Sequence, residues 1–145
     1  MVENITNHAE AEEIQIADSD DLYRWVHRYY QDTKKDGTVK LKPGLFRMKQ
    51  SDEKGISLFL ARLMPFEACC AAAVAEKNGF VGIATLSAID FRAHNLDVSV
   101  DNEGGVAAHV EVIGYKNFTD DELADITRDL LKRARYSEIP GQSVV

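Results

Sequence analysis

Gly104-Gly105-Val106-Ala107-Ala108-His109-Val110-Glu111-Val112-Ile113-Gly114-Tyr115 carries the strongest strand signal in the chain, with glycine at both ends. Side chains alternate along a strand, so Ala108, Val110 and Val112 share one face while His109 and Glu111 share the other. The pattern predicts a strand over 106–113 with its apolar face on a core. His109 and Glu111 are then either part of a site or two residues of a wetted sheet face. Immediately upstream, Leu96-Asp97-Val98-Ser99-Val100 alternates in the same way, and Asp101–Gly105 reads as a hairpin loop. Residues 96–100 and 106–113 are therefore expected to pair antiparallel.

Working outward, Thr119-Asp120-Asp121-Glu122 is a capping box, which starts a helix running to about Arg135. Leu123, Ile126, Leu130 and Leu131 give that helix its core face, and Lys132, Arg133 and Arg135 complement the dipole at its end. Pro140-Gly141 closes the fold, and 138–145 reads as a tail. In the other direction, Phe80–Leu86 is an apolar strand, and Ser87 caps a short helix over 88–94 with Asp90 at its third position. Pro65 suits the first position of an alanine-rich helix that reaches Lys77 and stops at Asn78-Gly79. Ile56–Leu60 reads as a buried strand, although Ile56–Met64 also fits a helix. Thr38–Leu41 is an amphipathic strand, and Leu45–Met48 resumes extended structure.

Leu22, Trp25, Val26, Tyr29 and Tyr30 recur at i, i+3, i+4, i+7 and i+8. That spacing predicts an amphipathic helix capped within Asp18–Asp21. The competing reading is a strand over Leu22–His27, which rests on its aromatic and β-branched content. Residues 1–17 are polar and acidic and read as a flexible arm, so the globular unit is expected to span 18–137. Strands following strands through 38–60 favour α+β over a doubly wound fold. The expected architecture is one domain, a mostly antiparallel sheet with two or three packed helices.

Apolar residues make up 45% of the chain, ordinary for a globular protein, and no run approaches the roughly 20 needed to span a bilayer. The acidic N-terminus does not resemble a signal peptide. The only cysteines, Cys69 and Cys70, are adjacent, which suits reduced thiols, so a cytoplasmic protein without membrane attachment is expected. The net charge of −7 is unevenly spread. Residues 1–21 carry seven acids and no Lys or Arg, 22–62 carry ten bases against four acids, and 63–145 carry seven against thirteen. The basic middle either binds an anion or rests against the acidic ends. Its interleaved Tyr23, Trp25, Tyr29, Tyr30 and Phe46 suit single-stranded nucleic acid, or simply a core.

The sequence lacks the common nucleotide-loop, zinc and serine-hydrolase motifs, and it calls for no cofactor and no metal. The candidate catalytic residues are His27, His109, Glu111 and Ser57. His27 and His109 are the types a metal-independent ribonuclease uses as an acid–base pair. Arg24, Arg28 and Arg47 are the candidate anion-binding residues, Arg24 lying three positions before His27. Leu22-Tyr23-Arg24-x-x-His27, with Gly37, Phe46, Ile56-Ser57 and Ala108-His109, resembles a loosely defined family of small uncharacterised bacterial proteins. Members often have Pro after the histidine, where this chain has Arg28, and a Pro there would favour the strand reading of 22–27. The resemblance implies a bacterial cytosolic protein and adds weight to Arg24, His27, Ser57 and His109. The layout of an Arg on a first strand, a Ser on a later one and a Glu on a last one, with Arg24, Ser57 and Glu111, also resembles that of ADP-ribosyltransferases.

Three functional expectations follow. One is a non-enzymatic interaction or accessory module that binds a protein partner or itself. Another is a small enzyme acting on RNA or a nucleotide, ribonuclease-like or ADP-ribosyltransferase-like. A third, nucleic-acid binding without catalysis, needs a continuous basic groove. Convergence of Arg24, His27, Ser57 and His109 in one cleft favours the enzyme.

Overall fold

The computed structural model describes residues 14–101 and 108–142. A six-stranded sheet forms the centre: β1 (Asp21–His27), β4 (Ser57–Leu60), β5 (Phe80–Ser87), β6 (Asp97–Val100), β7 (His109–Ile113) and β8 (Arg135–Glu138). Its order is β6-β7-β4-β1-β5-β8, and every neighbouring pair is antiparallel. A separate hairpin joins β2 (Gln31–Thr33) and β3 (Val39–Leu41). Three α-helices lie among the described residues: α1 (Phe66–Ala75), α2 (Ala88–Arg92) and α3 (Asp120–Arg133). The chain is thus α+β with a mostly antiparallel sheet.

The sheet has two unequal faces. Leu22 and Val26 of β1, Leu58 and Leu60 of β4, Leu86 of β5 and Val110 and Val112 of β7 point to one side. There α2 contributes Ala88 and Phe91, α3 contributes Leu123, Ile126 and Leu130, and a 3₁₀ turn over Pro43–Phe46 contributes Leu45 and Phe46. The other side carries Tyr23, Trp25, Phe59, Phe80 and Ile83, covered by Cys69, Cys70 and Ala73 of α1. Val110 and Val112 are fully buried while His109 and Glu111 remain partly open, as alternation in β7 requires. β6 and β7 pair in register Val98↔Val112 and Ser99↔Glu111. Most of the loop between them, and the start of the strand expected from 106, lie outside the described residues, as do residues 1–13 of the N-terminal arm.

The helix expected over Leu22–Tyr30 is replaced by β1 and a 3₁₀ turn, Arg28–Tyr30. The helical spacing was a coincidence of a strand covered on both sides. Leu22 and Val26 bury on one face and Tyr23 and Trp25 pack on the other, so no clean alternation survives. Tyr29 and Tyr30, the end of the supposed stripe, are 69% and 37% exposed. Asp18 and Ser19 form a turn, and Asp21 already pairs with Ser87 instead of capping a helix. Leu45–Met48 is not extended, since Leu45 and Phe46 close the 3₁₀ turn that Pro43 begins. Pro65 is the residue before α1, not its first. α3 stops at Arg133, so Arg135 leaves the helix terminus, opens β8 and meets Asp21 at 3.0 Å. β8 ends at Glu138, and Ile139 is buried with its amide donated to Val81 O, so order extends into the expected tail. Both capping boxes are present, Ser87 with Asp90 and Thr119 with Glu122. Among the described residues no helix is long and apolar enough to cross a membrane.

Candidate functional site

β1 and β4 pair only at Leu22↔Leu60 and Tyr23↔Phe59. Beyond Tyr23, β1 continues to His27 along β5 while β4 follows β7, so the sheet parts between its two central strands. A cleft of about 340 Å³ opens there, lined by Arg24, Trp25, His27, Tyr30, Ser57, Phe59, Phe80 and His109. Arg24, His27, Ser57 and His109, singled out by residue type, therefore line one cleft.

Arg24 fills the parting. Its side chain starts from the covered face, opposite Ala84, and its Nε and Nη1 donate to Leu45 O at 3.0 Å and Ser57 O at 2.9 Å. These carbonyls fix the plane of the guanidinium, and no carboxylate pairs with it among the described residues. Burial pushes Arg24 below the usual arginine value, an effect the nearby Tyr30 opposes. A desolvated cation held only by neutral carbonyls is short of negative charge, which an anionic ligand would supply.

Ser57 faces Glu111 directly across the β4–β7 ladder, and Phe59 faces His109. The order β7-β4-β1 thus sets Glu111, Ser57 and Arg24 on three neighbouring strands. Glu111 stands beside the cleft, its Oε1 accepting the Gly55 amide at 3.0 Å. Gly55 is required at that point because a Cβ would lie 2.0 Å from Val112 O. His109 Nδ1 is 3.0 Å from Asp101 Oδ2. This places the proton on Nδ1 and leaves Nε2 as the available ring nitrogen. His27 has the reverse tautomer, since its Nδ1 accepts the Tyr29 amide at 3.1 Å.

The two histidines are at opposite ends. His109 lies opposite Phe59, which lies opposite Tyr23, so His27 is two strands over and four residues along. Ordinary sheet spacings put their backbones about 16 Å apart. Rings fill the interval: His27 against Phe80 at 5.9 Å, Phe80 against Trp25 at 5.1 Å, Trp25 against Phe59 at 4.8 Å, and Phe59 against His109 at 5.7 Å. A single phosphate cannot touch both. A bulge in the β1–β5 ladder at Val26/His27 sets His27 opposite Phe80. Gly79 (φ +86°) makes room for the ring, as a Cβ there would sit 2.9 Å from His27 Nε2.

Arg28 and Arg47 do not line the cleft. Arg28 is exposed and lies over the Tyr29 ring, and Arg47 lines a different cavity with Met48, Asp120 and Thr127. The aromatic walls Phe59 and Phe80 escaped the sequence reading. Their signal was register, since each sits opposite a candidate histidine. The buried Trp25 indole N–H has no hydrogen-bond partner beyond the weak Cys69 sulfur beside it, and burial pushes that thiol up to about 11. Cys69 and Cys70 are free thiols. Among the described residues no three His, Cys, Asp or Glu side chains gather to hold a metal.

In comparisons with known proteins, no family model matches this sequence, and neither a curated protein nor a solved structure matches it.

Proposed function

We propose that the protein is an enzyme acting on a nucleotide, of the ADP-ribosyltransferase kind, with the cleft between β1 and β4 as its active site. The observation that carries this reading is Arg24, a desolvated cation with no carboxylate partner among the described residues, fixed by two backbone carbonyls in the wall of an aromatic cleft. In this reading its guanidinium binds the diphosphate of a nicotinamide dinucleotide substrate, and the mutually packed Trp25 and Phe59 rings form an aromatic wall for a flat heterocycle. Glu111, paired across from Ser57, stabilises positive charge at the ribose carbon as the glycosidic C–N bond breaks. The bonding pair leaves with nicotinamide, the acceptor's nucleophile forms the new bond to that carbon, and Glu111 takes the acceptor's proton. Ser57 orients the ribose. The separation of His27 from His109 weighs against a ribonuclease pair, and the cleft weighs against a module that only binds a partner.

The test combines calorimetric binding of ADP-ribose with release of nicotinamide from the dinucleotide. Arg24→Lys should weaken ADP-ribose binding by about tenfold to a hundredfold, since one lysine cannot replace the fork. Glu111→Gln should leave binding intact and slow nicotinamide release by about a hundredfold or more. Absence of ADP-ribose binding by the native protein would overturn the reading. Cleavage of a dinucleotide RNA that depends on both histidines would replace it with the ribonuclease.

A further inference from the structure

A second concavity, of about 670 Å³, lies between the β2–β3 hairpin and the C-terminal half of α3. Lys34, Lys40, Arg128 and Lys132 line it, and among the described residues no acidic one does. This is notable in a chain of net charge −7. Arg128 pairs with Asp125 of its own helix, whereas Lys34, Lys40 and Lys132 have no ion-pair partner among the described residues. All three lysines are exposed. The groove is also lined by Val39, Leu41, Leu131 and Tyr136. Val39 and Leu41 share one face of β3, and Tyr136 belongs to β8, the edge strand of the main sheet.

We infer that this groove docks an extended, acidic segment of a partner protein, in which carboxylates alternate with apolar side chains. An extended chain turns successive side chains to opposite sides. One set then covers the Val39, Leu41 and Leu131 surface while the other meets the lysines. Tyr136 of the groove belongs to β8, whose outer edge pairs with no strand among the described residues, so main-chain pairing with such a segment is open there. Nucleic acid fits less well. Single-strand binders stack bases on aromatic platforms, and here Tyr136 is the lone aromatic in the lining. Its ring lies against Gly82. Three of the four cations are lysines, which lack the guanidinium's bidentate geometry for phosphate. The inference stands apart from the Arg24 cleft and does not rest on its chemistry.

The test is fluorescence anisotropy with a labelled octapeptide of alternating Glu and Val, with an alternating Lys and Val octapeptide and an oligothymidylate as comparators. The Glu/Val peptide should bind, and binding should fade at high salt. Combined Lys34→Glu, Lys40→Glu and Lys132→Glu should weaken it by about tenfold or more, and the corresponding Gln set by an intermediate factor. All three side chains are exposed, so the fold should survive, as circular dichroism would confirm. Arg24→Lys should leave this binding unchanged, which separates it from failure of the cleft. The inference is overturned if the Lys/Val peptide binds as well, if the Glu set binds like the native protein, or if oligothymidylate is preferred.

Discussion

The two faces of the sheet are built from the same strands and come to different ends. On one, Leu22, Val26, Leu58, Leu60, Val110 and Val112 meet α2, α3 and the Pro43–Phe46 turn and are sealed. On the other, Tyr23, Trp25 and Phe59 are covered mainly by α1, whose ten residues are mostly alanine and cysteine, with Met64 and Ile139 beside it. The sealed face is built mainly of apolar side chains, together with the Tyr115 and Tyr136 rings, and Arg24 escapes from it through the parting of β1 and β4. The thinly covered face keeps His27, Ser57, His109 and Glu111. The difference teaches that stability and reactivity have been assigned to opposite sides of one layer. A covered face tolerates few polar groups, so candidate chemistry is concentrated where cover is incomplete.

The largest effect is expected from the sealed face. Phe91 of α2 is fully buried in that core. Phe91→Ala should lower unfolding free energy by about 3–5 kcal/mol in urea titrations. Phe59→Ala, on the partly open side, should cost distinctly less, and equal losses would break the contrast between faces. A smaller effect is expected where α3 begins. Thr119 accepts the Glu122 amide at 3.2 Å while Glu122 accepts the Thr119 amide at 2.9 Å. Thr119→Ala should cost about 1 kcal/mol by the same titration and leave ligand binding at the cleft untouched.

The smallest effect concerns pH. α3 is tied to the end of α2 by His94 Nε2 and Asp129 Oδ2, 2.6 Å apart, and Arg133 lies 2.7 Å from the same carboxylate. His94 first, then Arg133, hold Asp129 below the ordinary aspartate value. A carboxyl whose folded pKa is depressed contributes stability above its unfolded value, near 4, and loses it as pH falls through the folded value. The urea midpoint should therefore decline through that acidic window, and Asp129→Asn should flatten the decline. Partial exposure screens these charges, so the change is modest. No carboxylate pairs with Arg24 among the described residues, so it has no matching loss, and a parallel decline in cleft binding would blur the distinction.

Legibility in the sequence followed range. The capping boxes at Ser87 and Thr119 are read from four consecutive residues, and the structure forms both. The α3 stripe of Leu123, Ile126 and Leu130 is as local and holds likewise, because one solvated side preserves a helical period. At β1 the aromatic and β-branched content offered the strand Leu22–His27 only as the competing reading, because neighbours on both sides erased the alternation that would have put it ahead of a helix. β8 was missed because Arg135-Tyr136-Ser137-Glu138 has no apolar pattern, being held by its ladder to β5. In the cleft, residue type and a weak family resemblance marked Arg24, His27, Ser57 and His109. The distance between the histidines depends on two registers that no local pattern encodes.

The sequence by itself determined the elements whose signal lies within a turn or a strand: the caps, α3, the β6–β7 pair and the α+β class. It also chose the ionisable groups on the open face, through the period-two alternation of β7. Tertiary structure decided that Leu22–His27 is a strand, that β1 and β4 part after Tyr23, and that Arg24 stands in the gap with no counter-charge among the described residues. The physical reason is that strands are stabilised by partners distant in the chain. Their pairing, and the breaks in it, are set by the competition of whole surfaces for burial and not by any short run of residues.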